Sequence, residues 1–180
     1  MTSPYQTLSS RIAYQNRWTR IREDEIRHPD GSAGLYGVVE RADFVVVVPF
    51  QNGVVTLVQQ FRYPIGARVW EFPMGMWEDR PDSDPATVAA GELREETGLV
   101  AGTMQYAGAI FQGPGYCTQR GHIFLATDLS QQAPDREITE QDMICQEFPQ
   151  ATFETMIRDG TVQEAMTLSA YALLRLKGFL

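Results

Sequence analysis

The sequence predicts an α/β sandwich, and three observations carry that expectation. Short apolar runs of strand length are interspersed with stretches of helical spacing, the pattern of sheets and helices packed in layers. Residues 44–50 and 54–61 flank Gln51-Asn52-Gly53, and Asn-Gly between two apolar runs is the strongest short hairpin signal. Asp84-Pro85 opens a helix and Gly98 closes it, with a capping carboxylate, a proline in the first turn and a glycine for the left-handed stop.

Each element follows in order. Residues 5–25 alternate polar and apolar side chains (Ile12, Tyr14, Trp18, Ile21) and read as β structure, with residues 35–40 as a further strand before the hairpin. Trp70-Glu71-Phe72-Pro73-Met74-Gly75 reads as a short strand running into a glycine turn, followed by a polar loop over residues 76–83. In the next helix Ala86, Ala89, Ala90 and Leu93 recur at offsets of three and four, a narrow stripe of small residues suited to lying close against a sheet. The glutamates of that helix are expected on the adjacent, more open side. Residues 123–126 and 143–148 are strands. Residues 153–158 form a helix stopped by Gly160, and residues 162–177 a longer one with Leu168, Tyr171, Ala172 and Leu176 at helical spacing. No repeat, low-complexity tract or long linker interrupts the 180 residues, which suffice for a domain with its own core.

Composition excludes several classes. The net charge of −8 opposes non-specific binding to nucleic acid, which needs a basic surface to displace counterions. The longest apolar run, residues 44–50, is too short to cross a bilayer, and the first residues carry no signal-peptide core, so a cytoplasmic protein with no membrane partner is expected. Cys117 and Cys145 lack metal-type spacing and read as ordinary thiols. Two histidines cannot make a His-rich zinc site, so a bound metal would rest chiefly on carboxylates.

The most informative stretch is Gly91-Glu92-Leu93-Arg94-Glu95-Glu96-Thr97-Gly98-Leu99. Residues three and four apart share a helix face, so Glu92, Glu95 and Glu96 point roughly the same way. Like charges at that spacing repel, and a hard divalent cation such as Mg²⁺ relieves the repulsion. A solvated acidic face is the usual fate of such a run. The flanking strand, glycine and loop favour a metal site.

Here the chain resembles the Nudix hydrolases, whose signature is G-x5-E-x7-R-E-U-x-E-E-x-G-U with U aliphatic. Glu92, Leu93, Glu95, Glu96, Gly98 and Leu99 fit its second half. Two positions depart: Gly91 stands for the family's Arg, and Ser83 for the lone Glu, while Gly75 serves as the first Gly only if the loop is two residues longer. Arg94, Glu78 and Asp82 are the residues placed to compensate. Leu57-Val58-Gln59-Gln60-Phe61-Arg62-Tyr63-Pro64, Trp70-Glu71-Phe72-Pro73 and Pro114 in Gly113-Pro114-Gly115-Tyr116 are similar to the ADP-ribose pyrophosphatase branch, and the resemblance spans residues 10–177.

The resemblance implies a mixed sheet between helices, an α/β/α sandwich over residues 36–180, with residues 1–35 as a β-segment that pairs two subunits. It implies hydrolysis of a nucleoside diphosphate sugar, ADP-ribose first, with Mg²⁺ (or Mn²⁺) held by Glu92, Glu95, Glu96 and the Met74 carbonyl. Glu95 or Glu96 is a candidate base. Glu140, with Glu137 in reserve, is a candidate for positioning the attacking water, and Gln119 stands where some relatives carry an acid. Arg62 is expected on phosphate, with a surface ion pair as the competing reading; Trp18, Glu71 and Pro114 are expected around the substrate, and Phe61 and Tyr116 are further aromatics able to stack. Other nucleotide sugars such as GDP-mannose, and an ADP-ribose sensor of weak activity, stay open. The N-terminal segment has no second element to cover it, so a homodimer is expected.

Overall fold

The computed structural model describes residues 3–76, 83–133 and 142–180. It contains two compact units, Met1–Asp43 with Phe111–Arg120, and Phe44–Ile110 with Gly121–Leu180. In the first, β1 (Gln6–Gln15), β2 (Arg20–Arg27) and β3 (Ala33–Glu40) form an antiparallel sheet in that order. Irregular register after Thr7 and after Ile12 bends β1. Ion pairs cross the strands: Arg20 and Arg22 both reach Glu40, and Arg11 reaches Glu23. Ile12, Tyr14, Trp18 and Leu35 remain exposed.

The second unit is built on a mixed sheet in the order β10-β5-β4-β9-β8, from β4 (Phe44–Gln51), β5 (Val54–Arg62), β8 (Leu99–Phe111), β9 (Arg120–Gln131) and β10 (Ile144–Pro149). Strand β6 (Ala67–Glu71) pairs with β5, and the two-residue β7 (Met74–Gly75) with β4. Strands β4 and β9 run parallel, whereas β5 is antiparallel to β4, β6 and β10. The hairpin forms as expected, with Asn52 at φ 53° and Gly53 at φ 77°, the left-handed pair that a two-residue turn requires.

Alternation along β4 distributes the core. Val46 and Val48 pack with Phe153 of α2 (Gln150–Arg158) and with Met166, Ala170, Tyr171 and Leu174 of α3 (Ala165–Leu176). Val45 and Val47 pack with Val88, Ala89 and Leu93 of α1 (Pro85–Thr97). Both faces of the sheet are therefore covered, which makes the sandwich and explains why this strand reads as an unbroken apolar run.

Four expectations need correction. In α1 Val88 is buried and Ala90 exposed, and Glu92 and Glu96 turn onto the buried face instead of the open side. Helix α2 starts three residues early, just after Pro149, which cannot continue a helix backwards. Helix α3 starts at Ala165 because Glu164 is extended and caps it, accepting from the Met166 and Thr167 amides at 2.9 and 2.6 Å. Its buried stripe is Met166, Thr167, Ala170, Tyr171 and Leu174, so Ala172 and Leu176 face outward.

Candidate active site

Helix α1 begins and ends as its sequence dictates. Asp84 accepts from the Thr87 amide at 3.3 Å, and Gly98, at φ 76°, donates its amide to the Arg94 carbonyl at 2.8 Å. These ends set the rotation of the helix. Glu92 and Glu96, one turn apart, face inward with Leu93, whereas Glu95 is half-buried. Glu92 is 6 % exposed and Glu96 0 %, so this acidic run is not a solvated face.

The strand opposite is shaped to receive it. A Cβ placed on Gly75 would lie 2.7 Å from Glu92 Cδ and 2.9 Å from Oε1, with Oε2 closer still. A side-chain carbon there would force the Glu92 carboxylate to move. Pairing fixes the approach: Met74 lies opposite Val46 and Gly75 opposite Val45, while the Val47 amide donates to the Pro73 carbonyl at 2.9 Å. The Met74 side chain packs into the α2–α3 side of the core.

The donors here suit a hard divalent cation: two inward carboxylates one helical turn apart, of which Glu92 lies against Gly75. Among the described residues no three acidic, histidine or cysteine side chains form a ready-made metal cage. Mg²⁺ characteristically keeps several waters beside one or two carboxylates.

A second acidic position lies on the neighbouring hairpin. Glu71 ends β6 opposite Val58 and is fully buried. Arg62, at the end of β5, donates to Glu71 Oε2 through Nε at 3.2 Å and Nη2 at 2.9 Å. Glu71 Oε1 makes no close hydrogen bond among the described residues, and the Gln60 side chain interacts with the carboxylate only weakly. Burial pushes the Glu71 carboxyl above its ordinary range; Arg62 pulls it back, and the Glu164 carboxylate adds to the rise. Next to it, the buried Phe72 amide donates to Thr167 Oγ1 at 3.0 Å, which ties the end of β6 to α3.

The other sequence-derived residues are placed as follows. Trp18 sits half-exposed in the β1–β2 turn, where the Asn16 side chain accepts from the Trp18 and Thr19 amides at 2.9 and 2.8 Å and the Arg17 guanidinium lies 4.8 Å from its ring centre. Pro114 occupies a tight turn closed by the Tyr116 amide on the Gly113 carbonyl at 3.0 Å, with exposed Tyr116 folded back over Gly113. Trp18 and Pro114 belong to the N-terminal unit, and the glutamates, Met74, Arg62 and Glu71 to the other. Buried Gln119 donates to the Ala42 carbonyl at 2.6 Å, and Phe61 is exposed on β5. Glu140 and Glu137 lie outside the described residues, as do Glu78 and Asp82. Asp142, the first described residue after Glu140, is held by Arg68 through its carboxylate and its carbonyl, both at 2.6 Å. That hydrogen bond lowers the Asp142 carboxyl below its ordinary range.

Sequence reasoning missed the capping role of Glu164 and the Arg62–Glu71 pair. Glu164 had a legible signal, an acid just before a helical run. The pair had none, because β5 and β6 must first be set in register to bring residues nine apart together.

Comparison with known proteins gives the family. A model of the nucleoside diphosphate sugar hydrolase N-terminal domain matches residues 5–39, and the NUDIX domain model matches residues 39–155. An ADP-ribose pyrophosphatase of Mycobacterium tuberculosis is 30% identical over 167 residues, covering 92% of this chain and 80% of its own. One from Bacillus subtilis is 27% identical over 176 residues, covering 96% and 93%. A crystal structure of an ADP compounds hydrolase superposes with a TM-score of 0.85 at 20% identity, covering 99% of this chain and 97% of the other, a likeness of fold. The domain match takes in β4, the Gly75 strand and the whole of α1, and the glutamates sit within it: the chain belongs to the Nudix hydrolases.

Proposed function

We propose that this Nudix hydrolase cleaves the diphosphate linkage of a nucleoside diphosphate sugar, ADP-ribose foremost, releasing AMP and ribose 5-phosphate. The observation that carries the reading is the pair of inward carboxylates one helical turn apart, Glu92 and Glu96, with Glu92 lying against Gly75. The near full-length likeness to two ADP-ribose pyrophosphatases and the match to a nucleoside diphosphate sugar hydrolase segment support the substrate class.

Nudix hydrolases use divalent metal ions, and Mg²⁺ is the ion proposed here. Glu92, Glu95, Glu96 and the Met74 carbonyl would hold it. When bound, such an ion neutralises phosphate charge and makes a ligated water easier to deprotonate. Glu95 or Glu96 is the proposed base for the attacking water. Glu140 is assigned to orient the attacking water. Arg62 presents a planar, permanently charged donor edge to the diphosphate. Trp18 and Pro114 are proposed as further substrate-binding residues. Exposed apolar residues on the β1–β3 sheet support a homodimer. The two free cysteines accord with a reducing, cytoplasmic setting.

A substrate panel with Mg²⁺, reading AMP, GMP and sugar phosphates by chromatography, tests the proposal. AMP with ribose 5-phosphate from ADP-ribose, abolished by chelator, is the expected result. GMP with mannose 1-phosphate as the dominant product would move the assignment to GDP-mannose. Tight ADP-ribose binding without turnover would make the protein a sensor.

A further inference from the structure

A fully buried carboxylate is expensive to keep ionised, and a protein that retains one usually gives it a defined partner. The partner of Glu71 is asymmetric. Glu71 has no accessible side-chain surface, whereas Arg62 keeps 39 % of its own. Nε and Nη2 of Arg62 both point to Glu71 Oε2, which commits one edge of the guanidinium inward. Among the described residues the Arg62 side chain makes no other hydrogen bond. Its remaining donors are on the edge turned away from the buried acid. An ion pair made only for stability gains little from leaving one member so open.

The carboxylate itself sits on a fixed base. Glu71 is in register opposite Val58 within the β5–β6 pairing, and the following amide, of Phe72, is pinned to Thr167 Oγ1. Thr167 lies in the first turn of α3, whose start Glu164 caps. The orientation of Arg62 is thus handed down from two packed elements and does not depend on a loop.

We infer that Glu71 is a positioning residue for Arg62: it holds the guanidinium so that its outward edge meets a diphosphate, and it touches neither substrate nor metal itself. This rests on the pyrophosphatase reading for its substrate and revises the expectation that Glu71 contacts the substrate. A long side chain ordered in advance loses less freedom on binding, so the gain appears as affinity for the diphosphate and leaves the chemical step alone.

The test titrates ADP by calorimetry into chelator-treated protein, for wild type, Glu71→Gln, Arg62→Met and the double variant. Steady-state kinetics with ADP-ribose and Mg²⁺, Mn²⁺ binding and thermal melting run in parallel. Arg62→Met should weaken ADP binding by about 30-fold and Glu71→Gln by roughly tenfold, the scale of one charge-assisted contact and of its support. The double variant should bind no more weakly than Arg62→Met alone, because Glu71 acts only through the arginine. For Glu71→Gln, KM should rise in proportion with kcat nearly unchanged and Mn²⁺ affinity unchanged. Should Glu71→Gln not fold, Glu71→Asp keeps the charge, retracts the acceptor and should reproduce the loss. The inference is overturned by a full Glu71→Gln effect in the Arg62→Met background, by weakened Mn²⁺ binding, or by lower melting temperature with unchanged ADP affinity. Failure of wild type to bind ADP overturns it too. Coupled ADP binding in a protein that cleaves no nucleotide sugar would instead remove the pyrophosphatase reading and leave the pair standing.

Discussion

Helices α1 and α3 cover opposite faces of one sheet and are nearly equal in length, 13 and 12 residues. Both start at an acidic cap, Asp84 on the Thr87 amide and Glu164 on those of Met166 and Thr167. They differ in what they bury. Helix α3 puts down Met166, Thr167, Ala170, Tyr171 and Leu174, an ordinary stripe whose two hydroxyls are both hydrogen-bonded. Helix α1 spends two of its inward positions on Glu92 and Glu96. Apolar residues at those positions would stabilise the fold more, so α1 gives up packing for a site while α3 supplies the anchorage.

The widest separation between the two helices should come from one substitution in each. Glu96→Gln keeps shape and removes charge; it should lower kcat by about 1,000-fold or more, equivalent to ~4 kcal/mol of activation energy, with melting temperature kept or raised. Leu174→Ala opens a cavity beneath α3 and should cost 2–5 kcal/mol, the usual range for such truncations, while the folded fraction turns over normally. Denaturant unfolding and kcat on the same samples check both. If Glu96→Gln stayed active, or Leu174→Ala lost activity per folded molecule, the division of labour would be wrong.

The same contrast explains what the sequence made legible. Caps and stops are local chemistry, so Asp84, Pro85 and Gly98 placed α1 correctly, and Asn52-Gly53 placed the hairpin. The rotation of a helix about its axis is not local. A stripe of alanines was compatible with either setting, and only the sheet decided that Glu92 turns inward and Ala90 outward. The outward position of Leu176 has the same origin. Strand β8 was missed because Gly102 and Gly108 interrupt its apolar pattern, and Gly108, at φ 137°, takes a conformation that only glycine adopts readily. The candidate site was legible as a motif, through Glu92, Glu95 and Glu96. Its departure from the family spacing left Gly75 conditional on a longer loop, and Gly75 lies close against the Glu92 carboxylate.

Two glycines sharpen the comparison at smaller amplitude. Gly75 faces the α1 side and Gly121 the α3 side. A Cβ on Gly75 meets the Glu92 carboxylate, whereas one on Gly121 meets the Met166 methyl at 2.5 Å and the Phe44 ring at 3.0 Å. Methionine is flexible and can move aside. Gly121→Ala should therefore cost about 1–3 kcal/mol of stability, as overpacking does, and leave kcat intact. Gly75→Ala should displace Glu92, lowering kcat by roughly 100-fold (~2.7 kcal/mol) and weakening Mn²⁺ binding, with little change in melting temperature. Equal effects of the two on activity would mean that Gly75 matters only for packing.

The finest test is a titration on the α3 side. Tyr171 donates its hydroxyl to Glu154 Oε1 at 2.6 Å and accepts from Gln150 Nε2 at 2.8 Å, which binds α2 to α3. Burial, with Glu154 adding to it, raises the phenol above its ordinary value of 10.0. A raised acid holds its proton more tightly in the folded state than in the unfolded chain. Its contribution is fully present below pH 10 and is lost as pH rises through the folded-state value. Tyr171→Phe removes the hydroxyl, so wild type should exceed it at pH 8 by about 0.5–1.5 kcal/mol, the net worth of a hydrogen bond. That margin should shrink as pH climbs past 10, because only wild type must then bury a phenolate or break the link. Unfolding of both proteins at pH 8 and at successive steps above pH 10 measures the difference. A margin that stays constant or widens would mean that the phenol is not the proton donor joining α2 to α3.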